Sequence, residues 1–117
     1  MTNFINLTPH AINFITGNET ISHPPSGDVA RVSSIVIGER TLPNGDLGSI
    51  LGPGPVTGLP DPREGVVLIV SGQVRQALDG SGRKDVVSPG TDPAQCPVRH
   101  PEKGWVTGVT QWTFPRP

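Results

Sequence analysis

The chain has 117 residues, and its nine Lys and Arg against ten Asp and Glu leave a formal charge of −1. It is too short for more than one ordinary core, and it lacks the cationic excess that nonspecific binding of a nucleic-acid polymer needs. Cys96 is the only cysteine, which excludes an internal disulfide and a thiolate cluster for zinc. Glycine and proline together make up about a quarter of the residues, and only a third are hydrophobic. A single domain over residues 1–117 with a thin core is therefore expected, one that association into a homo-oligomer would help to complete.

Met1–His10 lacks the basic start and long apolar stretch of a secretory signal, and no run in the chain is apolar enough to span a bilayer. A soluble protein of the cytoplasm is expected, without membrane contact. Phe4–Leu7 and Ala11–Ile15 are short β-prone runs separated by Thr8-Pro9-His10, and Gly17-Asn18 supplies a hairpin turn before Thr20-Ile21. Asp28–Ile37 alternates without interruption and predicts a long strand. From Gly38 to Pro62 the prolines and glycines leave room only for short strands at Leu47–Leu51 and Val56–Leu59.

Val66–Val70 is the most hydrophobic run, as expected of a central strand buried on both faces. Ser71 can cap a short helix that carries Val74, Ala77 and Leu78 on one face and ends at Gly80. Asp85–Ser88 predicts a short strand, Asp92–Pro101 a polar loop, and Trp105–Phe114 a final strand whose two tryptophans point to opposite sides. The fold class that follows is mainly β, a small barrel or sandwich with one short α-helix.

Chemistry concentrates at Ser71-Gly72 and at Gly80-Ser81-Gly82-Arg83-Lys84. Backbone N–H groups beside two cations can cradle a phosphate. They can equally be a helix cap and a solvated turn, and spacing alone favours that plainer reading. Asn6, Thr8 and His10 surround the first kink, where they can contact a ligand or satisfy backbone groups left free beside Pro9. Arg31 needs solvent, a carboxylate or an anion, and Trp105 and Trp112 can stack on a purine or fill a core. No nucleophile elbow, paired carboxylates or metal-ligand spacing is found, so no catalytic residue, metal or cofactor is assigned.

Asn6-Leu7-Thr8-Pro9-His10, then Pro24–Val32, Gly58-Leu59-Pro60-Asp61-Pro62 and Arg83–Gly90 together resemble a family of small phage and prophage proteins with an N-terminal L-T-P-H motif. The family pattern has an acidic residue where Lys84 stands and a simpler end than Gly104–Phe114. By analogy with phage sponges, the resemblance implies sequestration, without cleavage, of a nucleotide second messenger of host immunity, ADP-ribose-type or cyclic, in the host cytoplasm. Arg83, Lys84 and the Ser71-Gly72 backbone would then hold phosphates, with Arg31 adding charge and Asn6, Thr8, His10 and Gln76 contacting ribose or base. A virion accessory protein that binds a protein partner and an enzyme that cleaves the signal are the alternatives.

Overall fold

The structure is a computed structural model that describes residues 2–117. Its centre is a four-stranded mixed sheet in the order β1 (Asn3–Asn6), β6 (Val66–Ile69), β7 (Val86–Pro89), β10 (Trp112–Thr113). The first three strands run parallel and the last antiparallel. The apolar run at Val66–Val70 takes the middle position that its composition predicts. Hydrogen bonds flank it on both sides, and Leu68, Ile69 and Val70 are almost wholly excluded from water.

Alternation along these strands divides the side chains between two faces. Leu7, Leu68, Val70 and Val86 point to one face and pack with Val74 of α1 (Gly72–Ala77) and with Ala30. Ile69 and Val87 point to the other, on the same side as Phe4 and Trp112. The hairpin of β2 (Ile12–Thr16) and β3 (Glu19–His23) covers that side, with Phe14 stacked on Trp112 at 5.1 Å and 9°. The helix is short because Ser71 accepts the Val74 N–H at its start and the turn at Leu78 ends it two residues before Gly80. The result is a small sandwich-like arrangement, mainly β with one short helix, and its sheets do not close into a barrel.

Two expectations for the middle of the chain need correction. The long strand β4 (Arg31–Thr41) begins after Asp28–Ala30, because the Ala30 N–H is drawn to the Leu7 carbonyl and that segment crosses the sheet end instead of joining the ladder. The stretch read as loop-rich is one strand, β5 (Leu47–Thr57), paired with β4 along its length apart from two register shifts. Its prolines are tolerated because β5 has no second neighbour among the described residues, so alternate N–H groups face away from a partner strand. The two strands form a two-stranded arm, and the molecule measures 56 × 40 × 27 Å along its principal axes.

The final run also differs from its reading. It splits into β9 (Val106–Gly108), paired with β8 (Val98–Arg99), and β10, with Val109–Gln111 between them. Val109 is pulled sideways onto β2, donating to the Asn13 carbonyl and accepting from the Ile15 N–H. A 3-10 turn at Pro93–Gln95 further structures the preceding polar loop. The Gly90 N–H bonds the Gln111 carbonyl, and a Cβ at Gly90 would come within 2.5 Å of that oxygen. Gly90→Ala should therefore cost about 1–3 kcal/mol of stability, as overpacking against backbone does. Urea denaturation checks this, and an unchanged midpoint would contradict the close approach.

Candidate functional site

The carboxyl ends of the three parallel strands open on one side of the sheet into a cleft of about 760 Å³. Thr8, Pro9 and His10 follow β1, Ser71 and Gly72 follow β6, and Thr91, Asp92 and Gln95 follow β7. Open sheets with parallel strands bind ligands outside these ends, because the connections there turn away and leave a crevice. The volume falls in the range of small-molecule sites, about 300–1,000 Å³.

The loop after β1 is fixed from beneath by Asn6, which is buried. Its amide nitrogen donates to the carbonyls of His10 at 2.8 Å and His23 at 2.9 Å, and its Oδ1 accepts the Thr8 N–H at 2.9 Å and the Thr8 hydroxyl at 2.6 Å. The Asn6 carbonyl also accepts from the Ser26 N–H and hydroxyl. Asn6 and Thr8, read from the sequence as ligand contacts, are thus engaged in building the wall of the cleft. Thr8 still lines it, whereas Asn6 lies behind it.

Arg75 is the one Lys or Arg among the described residues that line the cleft. Its Nε donates to the buried Ser88 hydroxyl at 2.8 Å, and its two terminal nitrogens have no hydrogen-bond partner among the described residues. One bond aims the guanidinium while its bidentate edge stays available to a carboxylate or phosphate. Hydroxyls of Ser71, Ser88, Thr91 and Thr113 and the amide of Gln95 line the same space. The Gln95 amide is held by a 2.8 Å bond to the Thr113 hydroxyl. Among the described residues Asp92 is the one carboxylate lining it, and its Oδ1 accepts the Ala94 N–H.

The remaining residues singled out from the sequence do not converge here. Arg31 is exposed and lines a smaller hollow of about 260 Å³ that shares Thr8, Pro9 and Ser71 with the cleft. Gln76 lies on the far side of α1, facing β4 and β5. Arg83 and Lys84 precede β7, so they stand at the amino end of the parallel strands while Ser71 and Gly72 stand at the carboxyl end. The phosphate cradle expected from these four residues is not assembled.

Arg83 is instead a structural clamp. It meets both Asp85 carboxylate oxygens, at 2.8 and 2.9 Å, and donates to the Pro60 carbonyl at 3.1 Å. Hydrogen bonding from Arg83 holds the Asp85 carboxyl below its ordinary range. Neither tryptophan lines the cleft: Trp105 packs on His100 with Lys103 over its ring, and Trp112 belongs to the aromatic cluster under the hairpin. Partial burial in that cluster lowers the pKa of His23.

Sequence reading missed Arg75, whose signal was its place one helical turn after the Ser71 cap. Ser88, Gln95 and Thr113 carried no local signal, since distant strands bring them together. Among the described residues no cluster of His, Cys, Asp and Glu suited to a metal ion forms, and no helix is long and apolar enough to cross a membrane. Compared with known proteins, the chain matches no family model, and no curated protein or solved structure is significantly similar to it.

Asn6→Asp should destabilise the protein by about 3 kcal/mol or more, because a carboxylate cannot donate to the His10 and His23 carbonyls and would itself be buried. Thermal denaturation measures this, and a shift within error would remove Asn6 from its framing role. Arg83→Ala should lower stability at neutral pH by about 1 kcal/mol, a figure discounted for the partial exposure of the pair. The depressed Asp85 pKa stabilises the fold above the ordinary carboxyl range, and that contribution is lost as pH falls through the depressed value. The gap between native and variant stability should therefore narrow in acid to the part that the Pro60 hydrogen bond contributes, and a gap that keeps its neutral-pH size there would contradict the assignment.

Proposed function

We propose that this protein binds a small phosphorylated ligand of the nucleotide type in the carboxyl-end cleft and holds it without altering it. The observation that carries the reading is Arg75, a guanidinium fixed through Nε with both terminal nitrogens open, set among hydroxyls in a cleft of nucleotide size. Phosphate suits the bidentate edge of the guanidinium, and Ser71, Thr91 and Gln95 offer donors and acceptors to a sugar or base. Pro9, Ile12, Pro89 and Ala94 supply the apolar part of the wall.

Retention rather than turnover is supported by the makeup of the cleft. Among the described residues Asp92 is its one carboxylate and His10 its one imidazole, which provides no carboxylate pair for acid–base work on a phosphodiester. The phage-protein resemblance of the sequence gives this activity a biological form, the sequestration of an ADP-ribose-type or cyclic nucleotide signal of host immunity. That form assigns phosphate binding to Arg75 in place of Arg83 and Lys84.

Purified protein incubated with a panel of such nucleotides, freed of unbound ligand and heat-denatured should release one of them with its mass unchanged. Release of a product of altered mass would make the protein an enzyme, and release of nothing would overturn the reading. Once a ligand is known, Arg75→Gln should weaken its binding by about 10-fold to 100-fold, the loss of one charge-assisted contact worth about 1.5–3 kcal/mol. Lys84→Ala should leave affinity unchanged, and calorimetric titration of the two variants distinguishes this site from one around Lys84.

A further inference from the structure

Two polar groups that line the cleft are anchored on a single rung of the central sheet. Ser88 of β7 and Thr113 of β10 are directly opposed across the antiparallel ladder, and the two members of such a pair share a face with their Cβ atoms roughly 5 Å apart. The Ser88 hydroxyl accepts the Arg75 Nε–H at 2.8 Å, and the Thr113 hydroxyl accepts from the Gln95 amide nitrogen at 2.8 Å. Arg75 reaches the rung from α1 and Gln95 from the 3-10 turn at Pro93–Gln95. Two segments that are remote in sequence thus present their free ends side by side.

Those free ends are complementary in kind. The terminal nitrogens of Arg75 are donors and carry the charge, whereas Gln95 Oε1 is an acceptor with no hydrogen-bond partner among the described residues. Gly90 lies against the nitrogen end of the amide, and a Cβ there would come within 3.0 Å of Gln95 Nε2. The amide is therefore held by its nitrogen, which leaves the oxygen for the cleft. Asp92 begins the same turn, and its carboxylate repels a phosphate, so an anionic group is favoured on the Arg75 side and a neutral donor on the side of the turn.

We infer that Gln95 is a specificity-determining residue, which accepts a hydrogen bond from a ribose hydroxyl while Arg75 holds the phosphate of the same ligand. The inference rests on the phosphate contact proposed for Arg75 and assigns the group beside it. Of the donors that a nucleotide carries, the sugar hydroxyls lie nearest the phosphate, and base amino groups stand beyond the sugar. An acceptor anchored one rung-width from the guanidinium, roughly 5 Å, therefore meets the sugar. A ligand without the hydroxyl leaves the Gln95 oxygen unpaired, so the cleft discriminates against it.

Ribose 5-phosphate and tetrahydrofurfuryl phosphate test the inference independently of the base, because the second compound keeps the ring and the phosphate but has no hydroxyl. In heteronuclear NMR titrations of the full chain, both should shift the Arg75 Nε–H resonance. Ribose 5-phosphate should bind about 3-fold to 10-fold more tightly, the worth of one neutral hydrogen bond, and Gln95→Leu should bring that ratio to about one. Equal binding of the two compounds by the native protein, or a preference that survives Gln95→Leu, would overturn the role of Gln95 and leave Arg75 as a phosphate ligand. If neither compound moves the Arg75 signal, the phosphate reading is overturned and this inference with it. Should Gln95→Leu lose the native spectrum, Thr113→Val replaces it: loss of the anchoring hydroxyl should narrow the ratio, and an undiminished ratio would overturn the role of Gln95.

Discussion

The side chain of Asn6 determines how the rest of the structure meets. It is buried at the end of an edge strand, where the chain must turn through Thr8-Pro9-His10 and where proline offers no N–H of its own. A backbone turning inside the protein leaves carbonyls and N–H groups that must be paired. The side-chain amide satisfies two carbonyls, one N–H and the Thr8 hydroxyl, and the backbone carbonyl of the same residue accepts from Ser26. The turn after β1 and the His23–Ser26 stretch are thereby held together at the carboxyl end of the sheet. Leucine or valine could fill the volume of Asn6, but neither could pair those groups, so the position requires a side chain that both donates and accepts.

The two ends of the parallel strands serve different purposes as a result. At the carboxyl end the Asn6 network keeps the loop after β1 apart from the helix and the Thr91–Gln95 segment, and a cleft remains between them. At the amino end of β7, Arg83 closes on Asp85 and the Pro60 carbonyl and ties the loop before β6 to the sheet. Each end uses one arginine. Arg75 is bonded through a single nitrogen and stays open, whereas Arg83 has its bidentate edge filled by a carboxylate. The chemistry available to the two side chains is set by their partners, not by residue type.

The core is narrow because most of the large apolar residues are not in it. The buried apolar side chains are aliphatic and come mainly from β6, α1, β7 and the residues next to them, and Phe4, Phe14 and Trp112 lie in a partly covered cluster under the hairpin. The arm takes the remaining aliphatics out into solvent. Hydrophobic burial is the dominant favourable term in folding and association alike, so a chain that spends its apolar residues this way gains stability when the arm is covered.

Several features were determined by the sequence alone. The run Val66–Val70 specified a buried central strand because it is long enough and apolar on every residue, and Ser71 with Val74 and Leu78 specified a short capped helix because cap and period agree locally. The hairpin at Gly17-Asn18 followed from turn chemistry in the same way. Other features were decided by tertiary structure. Proline and glycine at positions 52–55 argue against a strand in isolation, yet a lone partner strand makes no demand on the outward N–H groups and accommodates them. Trp105–Phe114 alternates like one strand, but Val109 and Gln111 are bonded sideways by β2 and Gly90, an influence no local pattern carries. The same applies to the site. Glycines and cations close together in sequence suggested a single cradle, whereas a parallel crossover from β6 through α1 to β7 places Ser71 and Arg83 at opposite ends of the sheet, because each parallel strand must begin where the previous one began.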